Sequence, residues 1–208
     1  MDATGKLVTI LLASFGLIFA WSLHQPYDLF TWGLEVAPAV AGILVLAATY
    51  GRFRFTRLVY VLIWLHCIIL VVGGHYTYAR VPLFDWLAEV LHQSRNNYDK
   101  VGHFAQGFVP ALVGRELLIR LKVVNGPGWR NFFIIAVCLA ISALYELIEW
   151  LTAVLTGTAA EDFLGTQGYA WDTQSDMAYC LGGAIMALVL LGRWHDRQLA
   201  ALAGRPGL

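Results

Sequence analysis

Apolar residues recur in six blocks along the chain: Leu7 to Leu23, Gly33 to Tyr50, Leu58 to Gly74, Val101 to Leu121, Phe132 to Leu155 and Asp172 to Leu191. Each is close to the roughly 20 residues a helix needs to cross a bilayer. The pattern predicts an all-α polytopic membrane protein with about six transmembrane helices forming one domain over residues 1–208. The first block lacks an A-x-A-like cleavage site before His24 and is long for a signal peptide, so it is expected to stay as the first span. Between the third and fourth blocks, Pro82 to His92 sets Leu83, Phe84, Trp86, Leu87, Val90 and Leu91 against Asp85, Glu89 and His92. That division predicts a short helix lying in the membrane interface. No internal repeat or second domain is visible.

Composition agrees: 59% of residues are hydrophobic and 13% charged, beyond the range of ordinary soluble domains. The formal net charge is +0 and there is no basic or acidic block, so nucleic acid is excluded as a partner. Membrane lipids are the implied surroundings, and a partner membrane protein or a second copy of the chain remains open. Cys67, Cys138 and Cys180 fall inside apolar blocks and read as small buried hydrophobes. Basic residues set the orientation. With a cytoplasmic N-terminus, Lys6, the Arg52 to Arg57 loop, Arg120, Lys122, Arg130 and the C-terminal arginines collect on the cytoplasmic side, and only Arg80, Arg95 and Lys100 on the other. Both termini are then cytoplasmic.

On this topology the polar residues near the blocks converge. His75 ends the third span, Asp99 and His103 open the fourth, Glu146 and Glu149 lie in the outward half of the fifth, and Asp172 and Asp176 open the sixth. The pairs Asp99/His103 and Asp172/Asp176 are four apart and Glu146/Glu149 three apart, so each pair shares a helix face. Carboxylates and imidazoles offered by facing helices are how helical bundles build metal sites. The metal-ligand set is His75, Asp99, His103, Glu146, Glu149 and Asp176, with Glu146, Glu149 and Asp172 as candidate catalytic groups. An oxygen-rich set with two imidazoles suits Zn, Mn or Fe. The loop from Gly157 to Trp171 is expected to cap this site, its glycines allowing tight turns.

Each residue also has a plainer reading. Asp99 and Asp172 stand where N-caps belong. Arg95, Lys100 or Arg115 could neutralise carboxylates as structural pairs, and His75 could be an interfacial, hydrogen-bonded residue. His24, His66 and His195 have no polar company in the sequence and read as structural.

The strings HYTY (His75 to Tyr78), RNNYDKVGHFAQGFVPAL (Arg95 to Leu112), SALYELIEW (Ser142 to Trp150) and FLGTQGYAWDTQSDM (Phe163 to Met177) resemble the bacterial inner-membrane family typified by YjdF. A weaker similarity, to VanZ-like proteins, rests on Asp99, Lys100, His103 and Asp172. The YjdF resemblance runs from the third span to the C-terminus. It implies a six-helix protein of the bacterial inner membrane and no established reaction. It also implies an acidic residue at the place of Tyr169, so a ligand at that point is absent here.

Three function classes follow. The first is a metal-dependent enzyme at the outer leaflet acting on a lipid or lipid-linked substrate. The second is a non-catalytic structural, assembly or accessory subunit of a membrane complex, for which Gly182, Gly183 and Ala184 would suit helix packing. The third, an ion or proton pathway, is disfavoured because the cytoplasmic halves of spans four to six offer few polar steps beyond Arg115 and Glu116.

Overall fold

The computed structural model describes residues 2–157 and 161–204, which form helices and connecting turns with no strand among the described residues. The helices are α1 (Ala3–Leu23), α2 (Leu29–Thr49), α3 (Arg57–Tyr76), α4 (Pro82–Val90), α5 (Tyr98–Arg120), α6 (Pro127–Thr156), α7 (Glu161–Leu164) and α8 (Asp172–Ala203), with a single 3₁₀ turn at Tyr78–Arg80. Part of the loop expected to cap the site, residues 158–160, lies outside the described residues, as do the side chains of Glu161 and Asp162.

The first three helices begin where a side chain closes the first turn. Asp2 accepts from the Gly5 amide at 2.7 Å, Asp28 from the Thr31 amide at 2.6 Å and Thr56 from the Val59 amide at 3.4 Å. These oxygens satisfy amides that otherwise have no partner, and they carry α1 and α2 several residues upstream of the apolar blocks. At the other end of the chain α8 runs on to Ala203, because no proline follows Leu191 before the Gly204 cap and Gly192 is accommodated inside the helix.

Five of the described helices are long and apolar enough to cross a membrane: α1, α2, α3, α6 and α8. The 23-residue α5 has the length, but Asp99, Lys100, His103, Gln106, Arg115 and Glu116 lower its hydropathy. Its position explains how it bears them. It packs along α8 and against α6 and α3, while α1 and α2 dock on α3. Polar residues on α5 therefore meet protein rather than hydrocarbon. The outer helices show the opposite face: Leu17, Leu44, Leu155 and Val189 are all at least 64% exposed, which marks lipid-facing surface. The nine-residue α4 buries none of its residues and exposes Leu83, Trp86 and Val90, as an interfacial helix does.

Two glycines set the α5–α8 crossing. A Cβ at Gly107 would overlap the Cys180 carbonyl oxygen, and one at Gly183 the Phe104 carbonyl oxygen. Such close backbone approach is how membrane helices gain packing energy without a hydrophobic driving force. Gly182, grouped with Gly183 in the sequence reading, has open space beside it.

One end of this pair holds a polar cluster that the sequence reading did not assemble. Glu116, fully buried on α5, accepts from the Thr56 amide at 3.0 Å, the Thr56 hydroxyl at 2.8 Å and Arg120 at 2.8 Å. His195, fully buried on α8, faces it through Nε2 at 3.0 Å. Arg115 donates to His195 Nδ1 at 3.2 Å and to Asp196 at 2.7 Å. His195 thus has close polar company, contrary to its reading as an isolated histidine. Because Arg115 can only donate, His195 Nδ1 is the acceptor and the Nε2–H donates to Glu116.

Candidate functional site

The other end of α5–α8 gathers most of the residues singled out in the sequence. Helical spacing puts Asp99 and His103 one turn apart on α5, with His103 Nε2 facing Asp99 Oδ1 at 3.3 Å. Across the crossing, α8 brings Asp176 Oδ1 to 4.0 Å from the same nitrogen. One ligand atom from each of Asp99, His103 and Asp176 lies within 4.8 Å of the other two, and all three residues are buried. The remaining ring nitrogen, Nδ1, faces Gln106 Oε1 at 3.2 Å. Protonated on both nitrogens, His103 would donate to Gln106 and to Asp99; carrying only Nδ1–H, it would turn the Nε2 lone pair toward two carboxylates, with room for a cation between them.

Two basic residues crowd the same carboxylates. Lys100 Nζ donates at 2.6 Å to both Asp172 and Asp176 and at 3.3 Å to Asp99. Arg95 donates to Asp172 at 2.6 Å and stands 3.5 Å from Asp99. Beneath them lies the ring of Tyr169, 5.5 Å from the Arg95 guanidinium and 5.8 Å from the Lys100 ammonium, close enough for cation–π attraction. Gln167 ties the connecting loop to the start of α5 through a pair of bonds, its Oε1 accepting from the Asn96 amide at 2.9 Å and its Nε2 donating to the Asn96 carbonyl at 2.8 Å.

On the far side of His103 the cations stop. Glu146 reaches to 3.8 Å from His103 Nδ1, and its Oε1 is buried without a hydrogen-bond partner. One turn on, Glu149 is 9% exposed, and no described residue hydrogen-bonds or ion-pairs with it. It lines a cavity of about 230 Å³ together with Asp99, His103, Tyr78, Tyr145 and Glu35. No Lys or Arg lines that space among the described residues. Glu35 comes from α2, is 4% exposed and borders the same cavity as Tyr145. Pro38 of α2 and Pro110 of α5, both inside their helices, also line it, as does His66. Phe163 and Gly165 form a further wall, with Gly165 at φ +60°. Tyr78 is fixed by packing, its ring filling the space that side chains at Gly73 and Gly102 would take.

The sequence-predicted residues therefore divide. Asp99, His103 and Asp176 come together, with Glu146 and Glu149 on the adjoining face of α6. Asp172 is buried between Arg95 and Lys100, an ion-paired position that suits holding those cations more than moving a proton. Neither aspartate is an N-cap. Asn97 and Trp171 occupy the cap positions, leaving Asp99 and Asp172 inside the first turn with their carboxylates turned to side chains. His75 is held elsewhere: its Nδ1 meets the Ser22 carbonyl at 3.0 Å and its ring lies 4.3 Å from that of Trp21, both on α1. Glu35 and His66 were not anticipated at the cavity. A single carboxylate in the otherwise apolar second block was the signal available for Glu35.

The model of the family described as "Predicted membrane protein (DUF2238)" matches residues 7–197. The inner membrane protein YjdF of Escherichia coli (strain K12) is 51% identical over 183 residues, covering 88% of this chain and 88% of that protein. No solved structure matches.

Proposed function

The chain belongs to the DUF2238 family of multi-pass inner-membrane proteins, and from that premise we propose that its buried Asp99–His103–Asp176 cluster is the centre of a metal-dependent enzyme acting on a lipid or lipid-linked substrate. The observation that carries this reading is His103, whose Nδ1 faces Gln106 while Nε2 faces Asp99 and Asp176. Ligand atoms around a tetrahedral ion at about 2.0–2.2 Å stand roughly 3.3–3.6 Å apart, so separations of 3.3 and 4.0 Å need only a small contraction. Zn, Mn or Fe suits such a donor set. A bound ion would lower the pKa of a water toward about 7 and supply a hydroxide nucleophile. Glu146, with an unpartnered oxygen beside His103, is the group best placed to move a proton, and Glu149 borders the space where a substrate would sit. Asp172 acts through Arg95 and Lys100 as a positioning residue. The distribution of basic residues supports placing this site at the non-cytoplasmic face, with both termini cytoplasmic.

One observation favours a second reading, in which the cluster only locks helices together. Lys100 and Arg95 already neutralise part of the acidic charge, as buried ion pairs in membrane proteins do. Elemental analysis of the full-length protein, purified in detergent, decides between them. The enzyme reading expects about one divalent ion per chain, lost in His103→Ala and Asp176→Asn. Equal trace metal in the wild type and both folded variants would leave only the lock.

A further inference from the structure

The half of the site formed by Glu35 and Glu149 differs from the metal-ligand cluster. Its carboxylates line a space instead of converging on a point, and among the described residues only Asp99, His103 and Asp176 converge closely enough for one ion. Glu149 is nine-tenths buried, has no hydrogen-bond or ion-pair partner among the described residues, and adjoins the carboxyl groups of Glu146, Asp99 and Glu35. Uncompensated carboxylates in a low-dielectric site are costly. The space they border is lined by the rings of Tyr78, Tyr145 and Phe163, with His103 and His66 also on its walls and no Lys or Arg among the described lining residues. We propose that this cavity receives a protonated amine, held by Glu35 and Glu149 and faced by the tyrosine rings, so that the substrate of the enzyme proposed above carries an ammonium group.

The chemistry favours an ammonium over the other occupants. A neutral polyol could hydrogen-bond the same oxygens but would leave their charge uncompensated, whereas an ammonium offers charge-assisted bonds and is attracted to aromatic faces. An anionic group would be repelled. At about 230 Å³ the cavity admits a small headgroup and not an acyl chain, so the rest of a lipid substrate would remain outside it. The amine could belong to a lipid headgroup or to a small free molecule.

Isothermal titration calorimetry on the full-length protein in detergent distinguishes these sources, using ethanolamine, short-chain phosphatidylethanolamine and short-chain phosphatidylglycerol as probes. The amine-bearing lipid is expected to bind at least about tenfold more tightly than its hydroxyl-bearing counterpart, the worth of one charge-assisted contact. Binding of ethanolamine alone would identify the free amine as sufficient; binding of the lipid only would identify the headgroup. Glu35→Gln and Glu149→Gln should each weaken amine binding about tenfold with no change in metal content. Equal affinity for the two lipids in the wild type overturns the proposal without reference to any variant, as does undiminished amine binding in the folded double variant. The inference rests on the enzyme reading but fails separately from it. A metal-loaded protein that ignores amines refutes the amine pocket alone, and a metal-free protein that binds them refutes the metal centre alone.

Discussion

Glu116 and Glu149 are both carboxylates buried in helices of a membrane bundle, yet their surroundings are opposites. Glu116 accepts hydrogen bonds from the Thr56 amide and hydroxyl, Arg120 and His195, and is 0% exposed. Glu149 has no such partner and borders a cavity. The histidines differ in the same way. His195 is bracketed by Arg115, which donates to it, and Glu116, which accepts from it, so both ring nitrogens are satisfied. His103 has an oxygen facing each nitrogen. A fully partnered polar network rigidifies a core, whereas a buried polar group left without a partner is costly. The comparison separates an end of α5–α8 whose polar groups are all paired from the end proposed above as a ligand site. Ala111, Leu112, Cys138, Cys180, Ala184 and Ala187 pack together in one buried apolar cluster of the bundle.

The contrast can be broken most sharply by asking which end faces outward. In a variant without the native cysteines, Ser94→Cys should react with an impermeant thiol reagent in intact cells and Asn125→Cys should not. The reverse pattern would put the unpartnered cluster in the cytoplasm. The next largest effect belongs to the satisfied end. Glu116→Ala leaves Thr56, Arg120 and His195 without their acceptor and should destabilise the bundle by about 3–5 kcal/mol, read as a lowered melting midpoint in detergent. A midpoint within a degree or two of wild type would show that the network is not structural. Gly107→Ala comes next, since its Cβ would collide with backbone at Cys180; a loss of about 1–3 kcal/mol is expected, against almost none for Gly182→Ala. The smallest change should come from Glu149→Gln. Removing an unpartnered buried charge should leave stability unchanged or raise it by about 1 kcal/mol. A large loss on that substitution would mean that Glu149 has a structural partner and that the two ends are alike.

How much of this was legible beforehand depended on whether the signal was local. The i,i+4 pair Asp99/His103 and the i,i+3 pair Glu146/Glu149 could be read from helical period alone, as could the alternation that makes Pro82–Val90 an interfacial helix. What the period could not give was which faces meet. Gly107 and Gly183 fix the α5–α8 crossing that brings Asp176 to His103, and nothing in the one-dimensional pattern pairs those two glycines. Capping preference misread Asp99 and Asp172, because Arg95 and Lys100 compete for carboxylates that a helix start would otherwise use. His195 escaped notice because an apolar block ends at Leu191 while the helix continues through Gly192 to Ala203. His75 drew attention as a polar residue at a span end, but Trp21 and the Ser22 carbonyl on α1 engage it there.

The central claim is that the Asp99–His103–Asp176 end is a ligand site and the Glu116–His195 end is not. Its most direct test is the melting midpoint of chelator-stripped, full-length protein titrated with Zn²⁺, Mn²⁺ or Fe²⁺. An ion that binds only the folded state should stabilise it by about 2.7 kcal/mol at a hundredfold excess over Kd. The account predicts a saturable rise with at least one of these ions in the wild type, and none in His103→Ala or Asp176→Asn. No rise in the wild type with any of the three, or the same rise in both variants, would contradict it.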